Sequence, residues 1–158
     1  IVDVVHAKSA DKVAESLGAP VAVVSTRGRR EQRLLRAFCD DSTRLRILPG
    51  PLAYPAWLET VSRHRIVFQL DRSSVPGQVA GDALLAGTPC VGGDGAIEQI
   101  AFPGLHGAGR DTSELIAIAG GLLSDSSVWQ RSVRETAALA LRELSFAAGA
   151  VRLRDRMG

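Results

Sequence analysis

Residues Ser73 to Glu98 read SSVPGQVAGDALLAGTPCVGGDGAIE, and this stretch decides how the rest of the chain is read. Gly77 opens a short helical pattern, Gly87 closes it and a strand restarts at Pro89. A helix that starts near Gly77 leaves the backbone N–H groups of Gln78 and Val79 without intrahelical partners. The helix dipole adds partial positive charge at the same end. Gly77 has no Cβ, so an anion such as a diphosphate can approach the backbone closely. Gln78 and Asp82 are four residues apart and share a helix face.

Outward from this segment, short β-branched runs alternate with helical patterns. Val2 to Val5, Val21 to Ser25, Leu45 to Leu48 and Ile66 to Leu70 read as strands, with Cys90 to Gly92 a shorter candidate. Several lack period-two alternation, which suits strands covered on both faces of a parallel sheet. Ala10 to Leu17, Arg29 to Phe38, Pro55 to Arg63 and Gly77 to Ala86 read as helices. Pro55 suits a first turn, and Gly18 and Gly87 sit where C-terminal caps belong. Strands alternating with helices predict an α/β fold with a doubly wound parallel sheet.

After Gly104 the pattern becomes helical only. Asp111 followed by Glu114 reads as an N-cap with its reciprocal acid. Asp125 or Ser126 starts the next helix, on which Trp129, Val133, Ala137 and Leu141 mark the expected buried side. A last helix from about Ser145 places Phe146, Ala150, Leu153 and Met157 on one stripe, with Arg152, Arg154 and Arg156 off it. The chain therefore reads as a single domain over residues 1–158, with residues 105–158 as its C-terminal helical part.

With 158 residues the chain can bury one ordinary core. Its net charge of +2 is too small to argue for nucleic acid. The two cysteines, Cys39 and Cys90, make no disulfide framework. Cys90 lies in an apolar run and reads as a buried thiol, and a reducing, cytoplasmic compartment is expected. There is no apolar run of about 20 residues to span a bilayer. His6, His64 and His106 show no metal-ligand spacing. The chain starts at Ile1 and its one methionine is Met157, which predicts a piece of a longer protein.

The line from Ile66 through Glu98 resembles the C-terminal, donor-binding domain of retaining GT-B glycosyltransferases. Members of that family carry a Glu-x-x-Gly loop after a strand. A second Glu lies eight positions after the first, followed by Ala, then a Gly five positions on and Pro-Val-Val. Here Gly77 matches the loop glycine, and Asp82-Ala83 stand where Glu-Ala is usual. Gly87, Pro89 and Val91 match the turn and strand that follow, and Glu98 falls near a later family Glu. Ser74 occupies the first acidic position.

The resemblance implies a Rossmann-like half of a GT-B architecture with extra C-terminal helices. Its ligand is a nucleotide-diphosphate sugar, a donor substrate rather than a cofactor, and no metal is implied. It assigns donor binding to Ser74, Gly77, Gln78, Val79 and Asp82, with Asp82 toward the ribose. Arg27 and Lys8 are the basic candidates for the diphosphate, and the loop holding Leu52 is the one that lines the base. The catalytic residues stay unassigned. The last helix is expected to brace a missing N-terminal Rossmann-like domain, without which the chain is expected to be inactive. The alternative is a non-catalytic module of the same kind that binds a nucleotide or a protein partner, favoured by Ser74 in place of the acid. A flavodoxin-like or dinucleotide binder is a third reading. The lack of G-x-G-x-x-G after the first strand counts against its dinucleotide form. The simpler reading of Arg27, Arg29, Arg30, Arg33 and Arg36 is a solvated helix face. Tyr54 and Trp57 read as packing residues.

Overall fold

The strand β4 (Val67–Gln69) is buried at all three positions, and so is β5 (Cys90–Gly92). This computed structural model describes residues 2–3, 7–24, 45–48, 52–70 and 77–157. The predicted helix Arg29 to Phe38, with Arg27, and the loop holding Ser74 lie outside the described residues. The remaining strands are β1 (Val2–Asp3), β2 (Val21–Val24) and β3 (Leu45–Ile47). The helices are α1 (Ala7–Leu17), α2 (Tyr54–Ser62), α3 (Gln78–Leu85), α4 (Ala96–Ala101), α5 (Thr112–Ser124), α6 (Ser126–Glu143) and α7 (Phe146–Met157).

Every strand pairing is parallel, in the order β3-β2-β1-β4-β5. The doubly wound parallel sheet expected from the sequence is corrected here. Helix dominates the described residues, and the strands are only two to four residues long. In effect there are two short parallel pairs, β2 with β3 and β4 with β5, joined across two-residue β1. Runs this short cannot carry the broad twisted sheet of that architecture, whose strands usually run to about five or six residues. Among the described residues no strand follows β5, and the rest of the chain is built from helices.

Because successive strand residues point to opposite sides, the core divides in two. Val21, Leu45, Phe68 and Val91 join Val13 and Ala14 of α1 and Leu115, Ala119 and Leu122 of α5. Ala22, Leu48, Val67 and Cys90 join Val61 of α2, Ala80 and Ala83 of α3, and Ala101 with Phe102 at the end of α4. Both faces are apolar, so alternation is absent from the strand sequences.

Local chemistry fixes the helix starts. Pro55 lies in the first turn of α2, where its missing N–H costs nothing. Asp111 and Glu114 form the expected capping box at α5, with each side chain bonded to the other's backbone N–H. Asp125 caps α6 by accepting from the N–H groups of Ser127 and Val128. Gly87 takes φ +67° just after α3, the left-handed conformation its C-terminal role requires. The six-residue α4 has no counterpart in the sequence reading. The expected buried side of α6 is corrected: Leu141 is 73% exposed and Ala137 is exposed, while Thr136 is buried.

Candidate functional site

β4 ends at Gln69 and β5 at Gly92, and the two residues are paired in register. Past them the chain turns on two glycines in the left-handed region, Gly92 (φ +91°) and Gly93 (φ +66°). The Gly93 N–H donates to the Gln69 carbonyl at 3.1 Å, and the Gly107 N–H donates to the Gly93 carbonyl at 2.5 Å. A Cβ at position 92 would collide with the Gln69 carbonyl. At position 93 it would lie 2.7 Å from Glu98 Oε1 and 2.9 Å from Gln69 Oε1. These glycines are therefore required by close packing as well as by φ.

Two polar side chains occupy this glycine-lined end. Glu98, in the first turn of α4, is 1% exposed, and Gln69 is 5% exposed. Gln69 Oε1 is buried and has no hydrogen-bond partner among the described residues. Glu98 reaches back to Gly77, the N-cap of α3, which has φ +87°. A Cβ on Gly77 would collide with Glu98 Oε2. The Glu98 carboxylate thus stands at the positive ends of α3 and α4 together, where the helix dipoles favour negative charge.

The reading of an open, anion-ready α3 N-terminus is therefore corrected. Gly77 is buried, and the place in front of it is taken by the chain's own carboxylate. A diphosphate laid directly there would meet the Glu98 carboxyl oxygens. Gln78 is exposed and Val79 is half-buried on the first turn of α3.

Asp82 lies one turn further and is 8% exposed. Its Oδ1 accepts from the Tyr54 hydroxyl and its Oδ2 from the Trp57 indole N–H, each at 2.8 Å. The expected ribose ligand is thus built into the packing of α2 against α3. That hydrogen bond raises the Tyr54 pKa above its usual value, with partial burial adding to it.

Leu52 is half-buried ahead of α2, and Lys8 lies on α1. Ser74 and Arg27 fall outside the described residues. Of the residues predicted from sequence, the structure brings Gly77 to the Glu98 cluster and sends Asp82 to α2. Gln69 was not among them, and Glu98 was noted only as falling near a later family Glu, with no binding role assigned. The signal for Glu98 was its place just after the glycine run Gly92-Gly93-Asp94-Gly95, whereas Gln69 had none beyond its position at a strand end.

Two cavities lie elsewhere. One of about 80 Å³ is near Pro20 and Arg65, and one of about 350 Å³ lies between α5 and α6. Neither is lined by a residue predicted for donor binding. No group of three or more His, Cys, Asp or Glu placed to hold a metal occurs among the described residues. No family model, curated protein or solved structure matches this chain.

Proposed function

We propose that this chain binds a nucleotide-diphosphate sugar, as the donor-binding part of a glycosyltransferase, at the carboxyl ends of β4 and β5. The observation that carries this reading is the buried Gln69 Oε1 with no partner among the described residues. A buried acceptor left unmade costs about 1–3 kcal/mol, and a sugar or ribose hydroxyl would recover that cost. The pairing of β4 and β5 supports the location: Gln69 and Gly92 end the two parallel strands in register, with the glycine turn just beyond them. In this reading the sugar end faces Gln69, the diphosphate lies away from Glu98, and Lys8 and Arg27 are the basic candidates for holding it. The chain's contribution to transfer would be electrostatic stabilisation of the leaving diphosphate.

A second reading, a non-catalytic module binding a nucleotide or a protein, is favoured by one observation. Both Asp82 oxygens already accept hydrogen bonds from α2, and Ser74 stands where an acid would be needed.

Titration calorimetry separates the two readings. UDP, GDP, ADP, UDP-glucose and GDP-mannose are titrated into wild type and Gln69→Met. The donor reading expects a sugar nucleotide to bind more tightly than its parent nucleotide, with about a tenfold loss in Gln69→Met while the thermal midpoint holds or rises, since the unmade acceptor is removed. Equal affinity for nucleotide and sugar nucleotide points to the non-catalytic module. No binding of any of the five removes the nucleotide reading.

A further inference from the structure

We propose that α7 is an in-plane docking helix for a membrane surface of anionic phospholipid. The helix buries none of its own residues. Phe146 is fully exposed, Leu153 is 62% exposed and Met157 81%. With Ala150 they form a single stripe at intervals of four, three and four. At about 100° per residue, Arg154 and Arg156 fall roughly 80° to either side of Phe146, and Asp155 falls roughly opposite it. Exposed apolar surface is thus flanked on both sides by guanidinium groups, with the helix's one acid turned away.

The charges are available for a partner. Arg152 is held by the carboxylate and carbonyl of Glu143 at the end of α6. Arg154 and Arg156 make no ion pair among the described residues. The Arg152 contacts tie the middle of α7 to the end of α6, and the Ser145 hydroxyl accepts from the Ala148 N–H in the first turn of α7.

The flanking pattern selects the occupant. A second copy packed parallel would bring arginine against arginine on both borders, where like charges repel, and an antiparallel copy would set Arg154 and Arg156 beside the uncharged Ala147, Ala148 and Gly149 with no acid to meet them. A flat layer of acidic headgroups meets both arginine borders at once, while Phe146, Leu153 and Met157 enter the boundary with the acyl chains. Long arginine side chains reach the headgroup level from beside such a stripe. Among the described residues no helix is long and apolar enough to cross a membrane, so the contact is interfacial. It stands apart from the donor-site reading, under which this helix would brace a further domain instead.

The test is vesicle flotation of the full chain with phosphatidylcholine vesicles, with and without phosphatidylglycerol. Wild type is expected to float with the phosphatidylglycerol vesicles, to release at high salt and to stay behind with phosphatidylcholine alone. The double variant Arg154→Glu/Arg156→Glu should lower the partition coefficient by about tenfold or more, since each basic residue near an anionic surface contributes measurably. Leu153→Asp should lower it comparably at unchanged far-ultraviolet circular dichroism. Because these side chains are exposed, unchanged thermal midpoints are expected in both variants. Wild type that fails to float with phosphatidylglycerol overturns the proposal. So does flotation that neither variant reduces. Concentration-dependent self-association abolished by Leu153→Asp, without vesicle binding, would assign the stripe to a second copy instead.

Discussion

Asp82 ties the phenol of Tyr54 and the indole of Trp57 to one carboxylate. Asp82→Ala would leave the half-buried Trp57 N–H unpaired, while the Tyr54 hydroxyl, on a residue 52% exposed, can turn to water. The expected loss is about 1–3 kcal/mol, or about 2–4 °C of thermal midpoint per kcal/mol for a chain of this size. A second readout isolates the cause. Tyr54 is the chain's single tyrosine, and its pKa is raised chiefly by the hydrogen bond to Asp82. Ultraviolet titration should show the phenol ionising at lower pH in Asp82→Ala than in wild type. An unchanged titration would mean that the bond is not formed in solution. The spacing of Gln78 and Asp82 sets them one turn apart on α3, where Gln78 is exposed and Asp82 is buried. The spacing did not show that Asp82 meets α2, because which neighbour covers a face is a tertiary fact. For the same reason Gly77 was legible as a special backbone position and Glu98 was not legible as the group filling the space before it.

Caps are the elements that sequence reads best, because they are local. The capping box of Asp111 and Glu114 and the cap of Asp125 both form where their spacing placed them. The buried face of α6 was misread for a geometric reason. Positions four apart advance by about 40° per step on a helix of 3.6 residues per turn, so the row from Trp129 to Leu141 winds from the core into solvent. Thr136, seven residues after Trp129, stays on the core side and is buried. The Asp125 cap carries a pH dependence. Its carboxyl is held below its ordinary pKa, first by the Ser127 hydroxyl and then by the Val128 and Ser127 N–H groups. A group depressed in the folded state binds fewer protons there than when unfolded. Its stabilisation is therefore complete above the ordinary carboxylate range and fades as pH falls from there through the depressed folded value. Asp125→Asn retains an acceptor but cannot titrate. Its unfolding free energy should fall less steeply than wild type over that acid range, with the two slopes merging near neutral pH. Identical acid limbs in denaturant titrations would remove Asp125 as a source of the dependence.

At the scale of the molecule, the question is whether the short strands and the C-terminal helices unfold as one. Sequence showed the change of pattern after Gly104 but not the joint between the two parts, which involves residues more than 55 positions apart. Arg65, in the turn between α2 and β4, makes that joint. Its carbonyl accepts from the Trp129 indole N–H at 2.7 Å, and its Nε donates to the Leu122 carbonyl at 3.1 Å. Its guanidinium lies 5.3 Å from the Trp129 ring centre. Beneath this joint, Leu115, Ala119 and Leu122 of α5 share a core with Val13 and Ala14 of α1 and with Phe68 and Val91 of the strands. A shared core predicts one cooperative transition. Trp129→Phe removes the indole donor and weakens the ring–cation contact, for about 1–2 kcal/mol. It also leaves Trp57 as the sole tryptophan, reporting from α2, while circular dichroism reports mainly the helices. In urea both signals should move to a lower midpoint by the same amount and remain coincident. Helical signal lost well before Trp57 fluorescence would show instead that α5 and α6 unfold apart from the strands, and that the Arg65 joint does not couple them.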